Sequence, residues 1–515
     1  MTVLATVVAT MATRLRVPAP SLLVVAGIGV GLLPGVPAVS VSPELVSLVV
    51  LPPLIYAASI DVAVPELRAV LRPVVVLAVG LVLVSAFAVA VVVRHLVPEV
   101  PFAAALVLGA VLASTDPVAV SALARRLQLP PRLLTLVQSE SLFNDATSLV
   151  LFRVAVSVAL AGASGGPGPL GIAGQFVLLG GGGALIGLAV GVAVAYLRRR
   201  TEDAVLETLI ALITPYAAFV LAELAHASGV TAVVAAGLWL GSRGVRLTSG
   251  TVRLQVETVY SVLVFLLESV VFAVIGLQLP GLVRALPDAG FVRVALAVTG
   301  VLLLTRILFL IPFGLVRAEP GDRRPWPSLA VVWWAGARGV VPLAAALSIP
   351  ETTAAGAPFP ERDLLLVLAT SCIVLTLVVQ GFTLQPLVRR LGVTDDPART
   401  AAEEALARHA AAVAARDRLR ELLHAEAVPP AVADGMLRTL EQRVERAARQ
   451  LRPAAAPDRR RADPDARLGR DLRRDLLAVE TAELLRLRDS GRISEDVRRR
   501  VQRTIDRAEA GLAED

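Results

Sequence analysis

Three stretches of this sequence set ionisable and hydroxyl side chains among apolar ones. They are Ala113-Ser114-Thr115-Asp116-Pro117, Ser139-Glu140-Ser141-Leu142-Phe143-Asn144-Asp145 and Gly336-Ala337-Arg338-Gly339. Residues i and i+4 share a helix face. Ser141 and Asp145 therefore form one polar face, and Glu140 and Asn144 a second, about 100° round the helix. Hydroxyl, carboxylate and free backbone carbonyl oxygens are hard ligands that suit a monovalent cation such as Na⁺. No thiolate or imidazole accompanies them, so zinc and redox metals are not expected. We assign the Ser141–Asp145 face to the ion and the Glu140–Asn144 face to Arg338.

The backbone around these residues is also marked. Pro117 has no N–H and clashes with the preceding turn, which deprives the Ala113 carbonyl of its helical donor. Asp116, just before proline, is biased away from helical angles. Pro342 acts in the same way on the Arg338 carbonyl, and Gly336 and Gly339 loosen the chain around it. The pattern predicts two interrupted helices, each with freed carbonyls beside a charge. Inside a bilayer such backbone persists only where it is packed in protein or lines a wet cavity.

The elements that carry these stretches are membrane helices. Of 515 residues, 56% are hydrophobic, and the mean hydropathy is +0.71. Apolar runs long enough to cross a ~30 Å hydrocarbon core recur before residue 390. They lack the period of two that β-barrel strands show. We read 13 segments: 1–12, 19–33, 44–60, 73–93, 102–124, 132–160, 172–197, 204–226, 229–242, 257–279, 290–313, 328–349 and 364–388. The interruptions fall in segments five and twelve. With segment seven as a linker, each is fifth in a set of six. That is the pattern of an inverted-repeat transporter whose site lies where two broken helices cross. The expected fold is an all-α polytopic membrane protein of about 13 transmembrane helices in two inverted six-helix repeats. Residues 1–390 form the membrane domain and 391–515 a helical cytoplasmic tail.

Charge sets the orientation. Alternate loops hold 16 arginines, from Arg14 to Arg324, whereas the other loops hold only Arg94, Arg284, Arg293 and Arg362. The arginine-rich side is expected in the cytoplasm, which puts the N-terminus outside and the tail inside the plasma (inner) membrane. The tail carries 25 Arg against 24 Asp+Glu, so nearly all of the net charge of +7 lies in residues 1–390, in the loops, and does not indicate nucleic acid. No cleavable signal peptide is read at the N-terminus. Cys372 is the single cysteine, which excludes a disulfide framework and a cysteine-rich metal site.

In the tail, opposite charges recur at helical spacing, as in Glu441–Arg443–Glu445–Arg446–Arg449. Pro429–Pro430 and the segment Arg452–Asp465 break this pattern, and Ser494 resembles a helix N-cap. The remaining intramembrane charges, Arg153 and Arg306, are read as packing partners for Glu223 or Glu268. His95 and His226 are expected at solvated segment ends. Tyr196 and Trp239 are expected at the membrane interfaces.

Together, Thr115-Asp116-Pro117, Glu140-Ser141-x-x-Asn144-Asp145 and Gly336-x-Arg338-Gly339 resemble the sodium/proton exchangers of the first cation:proton antiporter family. Leu51-Pro52-Pro53-Leu54 and the long tail are similar to that family's bacterial branch. The resemblance implies a homodimer that exchanges one Na⁺, or Li⁺ or K⁺, for one H⁺ in pH and sodium homeostasis. It implies no cofactor beyond the transported ions and no catalytic residue. Asp145 would carry the ion or the proton, Ser141 and the Thr115 carbonyl would be ligands, and Asp116 would support the crossing. Glu140 would pair with Arg338, near Asn144. An Asn–Asp pair is similar to electroneutral members. Some members place an acid after the aromatic of segment three, where this chain has Ala57 after Tyr56.

Other classes fit less well. A K⁺/H⁺ antiporter of the same fold is the nearest alternative, and a cation channel the nearest of another class. An intramembrane aspartyl protease using Asp116 and Asp145 lacks the Gly-x-Gly-Asp context, and a receptor lacks an output domain in 391–515.

Overall fold

The computed structural model describes residues 18–34, 46–116, 129–161, 168–201, 203–248, 250–284, 290–316, 325–353, 356–393, 397–425 and 427–451, with isolated positions elsewhere. Apart from one isolated β-bridge between Thr352 and Pro358, the regular structure described is helical. Contacts divide the chain into two compact units, Met1–Pro397 and Ala398–Asp515. The first unit thus runs slightly past the boundary at 390 read from the sequence.

The first unit opens with α1 (Ala19–Gly31), α2 (a π-turn Val46–Val50 running into Leu51–Ile60) and α3 (Val64–Val75, a π-turn Val76–Leu81 and Val82–Leu96). Next come α4 (Phe102–Ala113), α5 (Pro131–Ala161), α6 (Pro169–Arg198), α7 (Ala204–Leu224) and α8 (Gly229–Gly241). It closes with α9 (Gly250–Arg284), α10 (Gly290–Val316), α11 (Pro325–Trp334), α12 (Val340–Leu347) and α13 (Arg362–Leu391). Among the described residues, seven helices are long and apolar enough to cross a membrane, and four shorter apolar helices accompany them. Segments two to thirteen of the sequence reading each fall on one of these helices or, for segment twelve, on the α11–α12 pair. Segment 1–12, Pro117 and the rest of segment five lie outside the described residues, apart from isolated positions in the first.

Local chemistry explains where the helices start and stop. The Asp203 carboxylate accepts from the N–H groups of Val205 (2.7 Å) and Leu206 (3.1 Å) and so caps α7. Ser228 does the same for α8 through Thr231 N–H. α13 ends at Gly392, whose φ of 65° is the left-handed conformation that glycine adopts without strain.

Side chains with little bulk let the helices approach. Gly27 of α1 and Gly276 of α9 face each other so closely that a Cβ on either would collide with the opposite backbone. The main core buries α1, α4, α8, α12 and α13 around Leu23, Leu108, Val233, Ala345 and Leu368. A second, smaller cluster joins Val137 of α5, Val332 of α11 and Leu384 of α13.

In the second unit, α14 (Pro397–His424) and α15 (Pro430–Leu451) are described. Arg420 donates to Glu441 at 3.0 Å across the pair, and Arg449 to Glu445 at 2.7 Å along α15. The expected break at Arg452–Asp465 and the Ser494 cap lie outside the described residues.

Candidate cation site

The site forms where two helices stop in mid-fold. α4 ends at Ala113, and Ser114 turns the chain into extended backbone at φ −72°, ψ 148°. α11 ends at Trp334, and residues 335–339 run without helix until α12 begins at Val340. Pro342 lies in the first turn of α12, where an N–H has no intrahelical acceptor anyway. The two interruptions touch: the Asp116 N–H donates to the Ala337 carbonyl at 2.7 Å. A Cβ on Gly339 would collide with the Asp116 carboxylate, so only glycine admits that side chain.

α5 lays its polar face against the first break. Ser114 Oγ donates to the Asp145 carboxylate. Asn144 Nδ2 donates to Thr115 Oγ1 at 2.7 Å, and Asn144 Oδ1 accepts from Thr115 N–H at 3.3 Å. Thr115 and Ser141 hydroxyls lie 3.2 Å apart. Among the described residues, no donor reaches the Thr115 carbonyl. Ser114 thus meets Asp145, and Thr115 meets Ser141, across the break after α4 and the face of α5. One turn on, Ser148 Oγ binds the Ala110 carbonyl at 2.9 Å and fixes α5 against α4.

Two arginines take the carbonyls that the breaks release. Arg338 Nη1 donates to Ser114 O at 2.6 Å, and its own N–H is held by Thr376 Oγ1 of α13 at 3.2 Å. Arg306 of α10 donates to Val332 O from Nε (3.2 Å) and Nη2 (3.0 Å). Val332 O lacks a helical donor because α11 stops two residues later. A guanidinium there also meets the negative end of the helix dipole.

The Glu140–Arg338 pair expected from the sequence does not form. Glu140 is gripped by Arg306, with Nη1 to Oε1 at 2.6 Å and Nη2 to Oε2 at 3.0 Å. Gly336 makes the approach possible, since a Cβ there would press on Arg306 Cδ and Nε at 3.0 Å. Arg338 is engaged at Ser114 instead. Arg306 is therefore not a packing partner for Glu223 or Glu268, as the sequence reading had it. Arg153 pairs with Glu223, which also accepts from Gly229 N–H at 3.1 Å.

Burial separates the roles. Glu140 and Arg306 are 1% and 3% exposed, and Ser114, Thr115, Ser141, Asn144 and Arg338 are also buried. Asp145 retains partial exposure. An enclosed ion pair with satisfied hydrogen bonds is a structural device. Among the described residues Asp145 has a hydroxyl donor, Ser114, and no ion-pair partner.

Sequence reasoning missed three participants. Ser114 could have been included, as a hydroxyl beside Thr115-Asp116. Thr376 carried no local signal. Arg306 stood out as an intramembrane arginine, but spacing along one chain does not choose between two arginines from distant helices.

Comparisons with known proteins show the family and the fold. The family model described as the transmembrane sodium/hydrogen exchanger matches residues 2–390. An uncharacterised Na⁺/H⁺ exchanger of Mycobacterium tuberculosis is 37% identical over 513 residues, covering 97% of this chain and 92% of that protein. The Na⁺/H⁺ antiporter ApNhaP of Aphanothece halophytica is 32% identical over 421 residues, covering 81% of this chain and 76% of its own. Among solved structures, the sodium proton antiporter MjNhaP1 of Methanocaldococcus jannaschii at pH 8 superposes with a TM-score of 0.62 at 21% identity, over 76% of this chain and 96% of that one. That likeness is one of fold.

Proposed function

Because this chain belongs to the transmembrane sodium/hydrogen exchanger family, we propose that its exchange of a monovalent cation for H⁺ runs through Asp145. It is a multi-pass membrane protein and a cation/proton antiporter. The observation that carries the assignment is the partly exposed Asp145, whose carboxylate accepts from Ser114 Oγ where the two helix breaks touch, next to the Thr115–Ser141 hydroxyl contact.

The mechanism follows from charge. Asp145 binds either H⁺ or Na⁺, never both, and opens to one side of the membrane at a time. The Ser141 hydroxyl and the Thr115 carbonyl supply further oxygens for Na⁺, and Asp116 braces the crossing through Ala337. Asn144 holds Thr115 in place. The negative charge of Glu140 is cancelled by Arg306, so it takes no part in the exchange. One carboxylate that trades one monovalent cation for another gives electroneutral 1:1 exchange. The proposal includes a homodimer in the inner membrane, with the N-terminus outside and the tail in the cytoplasm, supported by the loop arginine bias.

The test is purified protein in proteoliposomes with a pH-sensitive dye inside. Na⁺ collapses an imposed ΔpH in a saturable manner, with Li⁺ and K⁺ run in parallel to rank the cations. A K⁺-free membrane potential imposed across the vesicles leaves the rate unchanged if exchange is electroneutral. Current without counter-ion dependence would identify a channel instead.

A further inference from the structure

Glu268 lies near the middle of α9, and no step above uses it. Among the described residues, its carboxylate has neither a hydrogen-bond donor nor an ion-pair partner. The other intramembrane glutamates singled out from the sequence are matched, Glu140 by Arg306 and Glu223 by Arg153. Among the described residues, the helices packed against α9 carry no cation away from their ends. α1, α2, α7 and α12 contain no arginine, lysine or histidine, and α13 keeps Arg362, Arg389 and Arg390 at its ends. α9's own Arg253 and Arg284 also lie at its ends.

The acid on the neighbouring element is of the same sign: α9 packs against α12, and Gly339, which caps α12, receives the Asp116 carboxylate. Glu268 is also partly exposed rather than sealed. An ionisable group held at membrane depth without a protein partner is costly and marks an ion path. Two like charges with low-dielectric walls focus a field that concentrates cations between them. A carboxylate without a protein donor has oxygens left for the shell of a hard cation.

We propose that Glu268 is a second binding carboxylate for the transported cation, a way station from which Na⁺ passes to the Asp116–Asp145 centre. This rests on the reading of that centre given above. The division of labour is physical. Asp145, with Ser141 and Thr115, supplies the site where Na⁺ and H⁺ compete. Glu268 supplies charge and an oxygen ligand next to it, and raises the local Na⁺ concentration. A station that binds weakly shortens the search for the centre without trapping the ion.

The experiment is Na⁺ titration of ΔpH collapse by full-length protein in proteoliposomes, at fixed pH and at low and high choline chloride. Glu268→Gln raises the KM for Na⁺ by about tenfold, the low end of what a focusing charge contributes to ion capture, and keeps most of the maximal rate. Glu268→Asp restores most of the affinity, and added choline chloride narrows the gap between wild type and Glu268→Gln. A Glu268→Gln variant with wild-type KM at both ionic strengths overturns the proposal, as does a lost maximal rate with unchanged KM. If Glu268→Gln does not insert, dicyclohexylcarbodiimide modification of wild-type Glu268, read by mass spectrometry, decides. Slowing by Na⁺ at concentrations well above those that saturate exchange supports the station, and indifference to Na⁺ there overturns it. Wild type that fails to exchange Na⁺ for H⁺ refutes the reading of the centre. Active wild type with an indifferent Glu268 refutes only the station.

Discussion

Arg306 holds Glu140 with two nitrogens, at 2.6 and 3.0 Å, and with the same guanidinium closes the open end of α11 at Val332. One side chain therefore neutralises a buried acid and satisfies a freed carbonyl. Removing it leaves an uncompensated charge in a sealed site, at a cost of about 3–5 kcal/mol. We expect Arg306→Ala and Glu140→Ala to lower the melting temperature and membrane yield sharply. The double variant Glu140→Gln with Arg306→Gln should recover part of the loss, because no lone charge remains. Thermal unfolding in detergent measures all three.

Arg338 is a different case. It bonds a backbone carbonyl, Ser114 O, and no carboxylate is left stranded when it is removed. Arg338→Ala should cost less stability than Arg306→Ala yet reduce exchange, since Ser114 positions both the break and the Asp145 carboxylate. Comparing melting temperature with transport rate for the two variants checks this. Equal stability losses would contradict the assignment of the pair.

The glycine at 339 is set by space. A Cβ there overlaps the Asp116 carboxylate, and overpacking of this kind costs about 1–3 kcal/mol. Gly339→Ala should still insert but lose most exchange, because Asp116 must move and its N–H bond to Ala337 is disturbed. Transport assays alongside size-exclusion chromatography separate the two effects.

How much of this was legible beforehand depends on the range of each interaction. Apolar run length marked segments two to thirteen, and the glycines and Pro342 marked a break between α11 and α12, because these signals are local in sequence. The i, i+4 spacing on α5 put Ser141 and Asp145 on one face, and each meets the break after α4, Ser141 at Thr115 and Asp145 at Ser114. Which arginine meets Glu140 was not legible. Arg306 and Arg338 both sit at membrane depth, and only the packing of α10 beside α11, with Gly336 making room, decides between them. The orientation of Ser114, whose hydroxyl and carbonyl serve different partners, depends in the same way on tertiary contact.

Competition at Asp145 has a pH signature. Where the carboxyl is mostly protonated, each unit fall in pH should raise the apparent KM for Na⁺ about tenfold, with the maximal rate at saturating Na⁺ changing far less. Ser141→Ala should raise that KM about fivefold at any fixed pH, the loss of roughly 1 kcal/mol for one ligand. Initial rates over a grid of pH and Na⁺ concentration read both effects.

The most direct test is Asp145→Asn, reconstituted beside wild type at matched protein density. Exchange of Na⁺ for H⁺ falls to the level of empty liposomes while the variant remains folded, with a melting temperature close to wild type. Saturable Na⁺-driven ΔpH collapse by Asp145→Asn at a rate near wild type would contradict the account.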